Sequence, residues 1–395
     1  MIKDRPDNLE RARIELDLEA TLNQLVLPMT GSTASTEVEQ SCMRVRRLSE
    51  RQGERSRLCE AIWALSLCYM VRGELAKAKA CAYELLALAT QDGAQDYLVG
   101  AHFQLAQTFL HMGEFADAVK HGREAEAVPG MLPKPLSRRL ADGAIATNFV
   151  LAQSLCCLGF SDQARQIERN ALSEAHNVTS WYFRISAMAF HAELQQVLGD
   201  ARRTLEQTDA GMSFAAEKGV MSQLMRMAPV RAWALVKTGK IEEGITMLRE
   251  TIARSESRFE LIRAYCSLAE AYQATGKPHE GLEMLRRAQD LMDQTGERHW
   301  AADLFRLRGE LLLLDTPPAM DGAEASLRQA IEVAHRQSAK WWELRATTSL
   351  ARLLRDTDRP DAGRVILAEI YNRFTEGFDT PDLKDAKALL DELNQ

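Results

Sequence analysis

A ladder of glycines constrains this chain more than any other feature. Gly73, Gly113, Gly159, Gly199, Gly239 and Gly276 each follow an apolar helical run, at spacings of 40, 46, 40, 40 and 37 residues. A further step of 82 residues, two units of 41, reaches Asp358 in an equivalent turn. A period of this size marks stacked supersecondary units, each packing only on its neighbours. Such an array also escapes the limit on one compact core, which would ordinarily split 395 residues into several domains.

The unit reads as a helical hairpin. In residues 261–288, Leu261, Tyr265, Leu268, Ala269 and Tyr272 recur at i, i+4, i+7, i+8 and i+11, which is one face of a helix. Gly276 then ends the helix, because a residue without Cβ adopts the left-handed conformation of a C-terminal turn. Gly281, Leu285 and Ala288 form the stripe of a second helix. The same grammar returns at Leu65–Tyr69–Gly73–Ala78, at Leu105–Phe109–Gly113–Ala118 and at Leu151–Leu155–Gly159–Ala164. Good helix formers dominate, and Val, Ile and Thr are too sparse for a large sheet. The expectation is an all-α solenoid over residues 1–395 with about nine hairpins. Their first helices lie near 7–27, 56–72, 95–112, 136–158, 179–198, 221–238, 258–275, 297–314 and 340–356. A capping helix follows at 381–393, with Thr380 as hydroxyl N-cap and Pro381 at the first helical position. Pro129, Pro133 and Pro135 make 128–136 an insertion between helices, and Asp315–Asp321 reads as a second irregular turn. The units at Gly199 and Gly239 look degenerate, since Thr204 and Gly244 stand where the small residue of the second helix belongs.

These spacings resemble the tetratricopeptide repeat, with a period near 40 instead of 34. The resemblance implies a right-handed superhelix of longer helices. The C-terminal third adds a second likeness. The strings AADLFRLRGELLL from Ala301, SLRQAIEVAHRQSAKWWELRATTSLARLLRD and FTEGFDTPDLKDAKALLDEL are similar to the tail of a bacterial family of large multidomain regulators. In that family a cyclase or DNA-binding domain and an AAA-type ATPase module precede a tetratricopeptide-like region. The resemblance implies a regulatory setting and an ATPase, cyclase or regulator module as partner. It transfers no catalysis, because there is no G-x-x-x-x-G-K-[ST] in the chain. Gly239-Lys240 and Gly276-Lys277 have Ala234 and Ala271 where that motif needs glycine.

Other classes find little support. A net charge of −7 weighs against nucleic acid as a partner. No run of 18 apolar residues occurs, and Met1–Glu10 has no apolar core of a signal peptide, so a cytoplasmic location is expected. Cys42, Cys59, Cys68, Cys81, Cys156, Cys157 and Cys266 form no C-x-x-C pair and read as small core residues under reducing conditions. His102, His111 and His121 are spaced by 9 and 10, not by the i, i+4 step of two ligands on one helix, so neither a metal nor a cofactor is expected. No G-x-S-x-G or H-E-x-x-H is present, which leaves an enzyme as the weakest reading.

In a helical-repeat array the first helices line the concave face that receives the partner. By repeat register that face carries Trp63, Phe103, Gln107, Phe149, Gln153, Glu193, Gln196, Trp233, Arg263, Glu270, Gln273, Arg345 and Arg352. Trp63 and Phe149 fit the core between repeats equally well. Aromatics supply contact area and amides pair with a peptide backbone, so the mix suits protein or peptide recognition. A small-molecule effector inside the superhelix is the alternative. Arg345, Arg352 and Arg355, at i, i+7 and i+10, either grip an anion or form a solvated face.

Overall fold

The computed structural model describes residues 35–128, 138–176, 181–255, 258 and 261–394. Among them there are helices and no strands. After α1 (Thr36–Gln52) come eight hairpins. They are α2 (Arg55–Val71) with α3 (Leu75–Asp92), α4 (Gln95–Met112) with α5 (Phe115–Glu126), α6 (Arg138–Cys157) with α7 (Ser161–His176), and α8 (Trp181–Val197) with α9 (Ala201–Lys218). Then follow α10 (Met221–Lys237) with α11 (Ile241–Arg254), α12 (Leu261–Ala274) with α13 (Pro278–Thr295), α14 (Ala301–Leu313) with α15 (Met320–Arg336), and α16 (Lys340–Asp356) with α17 (Pro360–Tyr371). The last helix is α18 (Pro381–Leu393). The fold is an all-α solenoid. The expected helix at 7–27 and residues 129–136 of the expected insertion lie outside the described residues.

The ladder has a steric cause. Gly113 has φ 73°, and its turn closes with Glu114 N–H donating to Phe109 O at 2.9 Å, so the end of α4 recovers an orphan carbonyl. Asp358 holds the same left-handed region at φ 57°, the rung the spacing called for without a glycine. A second set of left-handed glycines was not anticipated from sequence: Gly53 ends α1, and Gly93, Gly219 and Gly296 end the second helices α3, α9 and α13.

Two local expectations are corrected. Gly244 is not a degenerate position: a Cβ there would lie 2.6 Å from Val236 Cγ2 and 2.7 Å from Ala232 O, so the α10–α11 crossing requires glycine. Thr204 also fits, fully buried, with its hydroxyl donating to Asp200 O at 2.7 Å. Thr380 stands before α18 with extended backbone, but its side chain makes no cap bond to that helix. Its hydroxyl donates backwards to Gly377 O at 2.6 Å.

The array does not remain open. One hydrophobic cluster joins residues of α3–α8 to residues of α12–α18 and holds none of the intervening α9–α11, which nearest-neighbour stacking alone would not produce. The C-terminal repeats return across the ends of earlier helices and satisfy their terminal groups. His111 O, near the end of α4, accepts from Arg298 N at 2.7 Å and His299 N at 3.1 Å. Val197 O, at the end of α8, accepts from Trp341 Nε1 at 3.1 Å and Arg345 Nη2 at 2.7 Å. Glu376 Oε1 accepts from Asp162 N at 2.8 Å and Gln163 N at 3.1 Å, placing a carboxylate at the start of α7. Each contact pairs a helix end with the charge or donor that its dipole favours.

Candidate functional site

The inner face is a polar ladder whose rungs join positions one repeat apart. Gln153 Nε2 donates to Glu193 Oε2 at 3.4 Å, 40 residues on. Trp233 Nε1 donates to Glu270 at 2.9 Å and Gln273 Nε2 to Glu310 at 2.9 Å, each across 37 residues. Ser349 Oγ donates to Glu310 at 2.5 Å across 39 residues. The offset equals the repeat period because equivalent positions on successive first helices face one another.

Glu193 on α8 is the centre of this ladder. It accepts from both Arg226 Nε at 2.7 Å and Arg226 Nη2 at 2.9 Å, and from Arg263 Nη2 at 3.3 Å. One carboxylate thereby ties α6, α8, α10 and α12. Burial alone would raise its pKa, but the Arg226 and Arg263 guanidinium groups outweigh it and hold it down at about 2. Arg226 also stacks on the Phe190 ring, 3.9 Å from its centroid. On α14, Arg306 is held between Asp303 at 2.6 Å and Glu310 at 2.8 Å. Burial opposes ionisation of both carboxyls there, yet Arg306 keeps each below the usual carboxylate range.

Above these groups lies a cavity of about 390 Å³, bounded by α8, α10, α12, α14, α16 and the start of α18. Six of the sequence-expected groove residues line it: Gln196, Trp233, Arg263, Glu270, Arg345 and Arg352. Glu193, Gln153 and Gln273 sit in the network bonded to its wall. Gln196 Oε1, buried at the wall, receives no hydrogen bond among the described residues. The remaining expected residues lie elsewhere. Phe149 is 1% exposed and stacked on Phe190 at 5.9 Å, a core residue and not a groove residue. Trp63 packs on the N-terminal cluster with Ile62 and Leu65, Phe103 packs on the main core, and Gln107 is buried on α4.

The three arginines at 345, 352 and 355 are not a free anion grip. Arg345 pairs with Asp382 at 2.8 Å, Arg352 with Asp385 at 2.5 Å and Arg355 with Glu392 at 3.0 Å, so the stripe seats the last helix. Sequence reasoning missed Lys237, Trp300, Asp303, Arg306 and Glu310, all of which line the cavity. The signal was present as Asp303, Arg306 and Glu310 at i, i+3 and i+7, a stripe of both charges on one face of the helix.

The histidines are also placed differently from expectation. His102 on α4 and His121 on α5 meet across the hairpin, with Glu124 beside them. Burial lowers the pKa of both imidazoles. His111 instead faces His299, whose burial, with His111 and Arg263 nearby, drives its pKa down to about 3. All seven cysteines are buried free thiols. Among the described residues no helix is long and apolar enough to cross a membrane.

Comparison with known proteins agrees with the fold. A tetratricopeptide-repeat family profile matches residues 262–287. No curated protein sequence matches the chain. Among solved structures, it is similar to a Rap protein complexed with Competence and Sporulation Factor, at 11% identity and a TM-score of 0.54, over 85% of this chain and 97% of that one. It is similar to the Rap conjugation gene regulator of plasmid pLS20 in complex with the Phr* peptide, at 11% identity and a TM-score of 0.50, over 96% of each chain. A signal-transduction ATPase with a tetratricopeptide-repeat sensor from Pyrococcus horikoshii aligns at 13% identity and a TM-score of 0.44, over 100% of this chain and 68% of that one. This chain carries a tetratricopeptide-repeat region in a helical solenoid.

Proposed function

We propose that the solenoid is a non-catalytic receptor that takes a short polar peptide segment into its inner cavity and reports it within a bacterial signalling or transcriptional regulator. The observation that carries this reading is the cavity wall itself. An amide whose acceptor is unused among the described residues (Gln196), two indoles (Trp233 and Trp300) and charges of both signs converge on one space of about 390 Å³. That volume is in the range of ligand cavities. A peptide offers alternating donors and acceptors along its backbone, which amides and paired charges recognise, and indoles cover its side chains. The two Rap structures, likenesses in fold, hold Competence and Sporulation Factor and the Phr* peptide. The regulatory setting rests on the C-terminal strings from Ala301 onward.

The test is selection from a displayed peptide library on the full chain, followed by fluorescence anisotropy of the selected sequence. Gln196→Ala and Lys237→Glu should each weaken binding about tenfold or more, equivalent to about 1.4 kcal/mol. Arg286→Ala, on the exposed outer face of α13, should leave it unchanged. A chain that selects no peptide but retains a small metabolite in native mass spectrometry refutes the peptide reading and favours a small-molecule effector.

A further inference from the structure

The α4–α5 hairpin brings together three donor atoms. His102 Nδ1 and His121 Nδ1 are 3.0 Å apart, and Glu124 Oε2 lies 3.3 Å from the first and 3.0 Å from the second. Hydrogen bonds leave this triangle frustrated along one edge. If both imidazoles donate to the carboxylate, two N–H groups face each other. If one imidazole donates to the other, the acceptor nitrogen then faces an acceptor oxygen. Every placement of protons leaves one edge with two donors or two acceptors. A single cation replaces the protons and satisfies all three lone pairs at once.

The distances suit such an ion. A tetrahedral zinc with bonds of about 2.0–2.1 Å sets its donors about 3.3 Å apart. The three atoms here would spread by only a few tenths of an ångström. The imidazoles are held in place by packing: the His121 ring stacks on Phe109 at 5.4 Å with 5° between planes, and Tyr83 meets its edge at 6.1 Å. His102 and His121 are buried, whereas the Glu124 side chain is 42% exposed. The nitrogens are therefore pre-set in the helix interface, and the carboxylate side opens to solvent as an entry path and a fourth coordination position.

We propose that His102, His121 and Glu124 form a zinc site that clamps α4 to α5. Two imidazoles and one carboxylate, without thiolate, suit a borderline divalent ion and not magnesium or calcium, which take oxygen-rich shells. The site is separate from the cavity proposed for peptide, so either proposal can fail alone.

The test uses the full chain, stripped with chelator and titrated with cobalt(II), then with zinc. One equivalent of cobalt should give the visible bands of a tetrahedral N/O site, and zinc should abolish them. Glu124→Gln, on the solvent side, should keep the far-ultraviolet dichroism of the parent and weaken cobalt binding about tenfold or more, since loss of an outer-sphere partner alone costs about 10–100-fold. His121→Gln should remove the bands. Zinc should raise the thermal midpoint of the parent but not of His121→Gln. A folded parent with no stoichiometric cobalt spectrum, or variants that retain it, would show a hydrogen-bonded cluster only and overturn the site.

Discussion

Replacing Glu193 by Gln isolates the electrostatic centre of the inner ladder. The substitution keeps shape and some hydrogen bonding but leaves Arg226 and Arg263 facing a neutral group within the buried network. The carboxyl pKa falls from the ordinary 4.5 to about 2 in the folded chain. At about 1.4 kcal/mol per pKa unit, ionisation of Glu193 favours the fold by about 3 kcal/mol at neutral pH. That matches the loss of about 3–5 kcal/mol expected when one partner of a buried ion pair is removed. The sign follows from the direction of the shift. A depressed acid contributes its full stability above the unfolded value of 4.5 and loses it as pH falls toward 2. Urea unfolding followed by circular dichroism should therefore give a parent-to-variant gap of about 3 kcal/mol at pH 7, shrinking to about 2 kcal/mol at pH 3.5. A gap that is constant across that range would refute the electrostatic account and leave only a packing defect.

Two further perturbations follow from the closure of the array. Gly113→Ala should lower the thermal midpoint more than Gly276→Ala: both strain a left-handed turn by about 1–2 kcal/mol, but the first also pushes a methyl into the Gln337 amide and within 3.1 Å of Arg298 O, while the second meets open space. Arg345→Ala should cost about 2 kcal/mol in a urea melt, because it removes the partner of the part-buried Asp382 carboxylate and one of the two donors to the Val197 carbonyl, whereas Arg355→Ala, in an exposed pair with Glu392, should cost less than about 1 kcal/mol.

The sequence alone determined the repeat and its period. A left-handed turn disfavours most side chains, so glycine recurs at most first-helix ends, with Asp358 taking the same conformation after α16. Helical faces need apolar residues at fixed steps, so Leu105, Phe109 and Ala118 announced a hairpin without any tertiary information. Register along first helices also pointed at the polar ladder. Trp233 with Glu270, and Gln153 with Glu193, stand on the chosen face and meet each other one repeat apart. The same register could not separate Phe149 from the groove, because an aromatic on that face serves core and surface equally well until its neighbours are known.

Only the tertiary structure decided how far the array bends. Small rotations per repeat accumulate until His111 meets Arg298 and Val197 meets Trp341, and no local spacing encodes that sum. Closure created the cavity and added walls from helices remote in sequence. It also gave Arg345 two partners from different parts of the chain. The His102 cluster was hidden for a simpler reason. Ligand spacing was measured along one helix, whereas the hairpin folds about Gly113. His102 lies eleven residues before that glycine and Glu124 eleven after it, so the turn itself makes them neighbours.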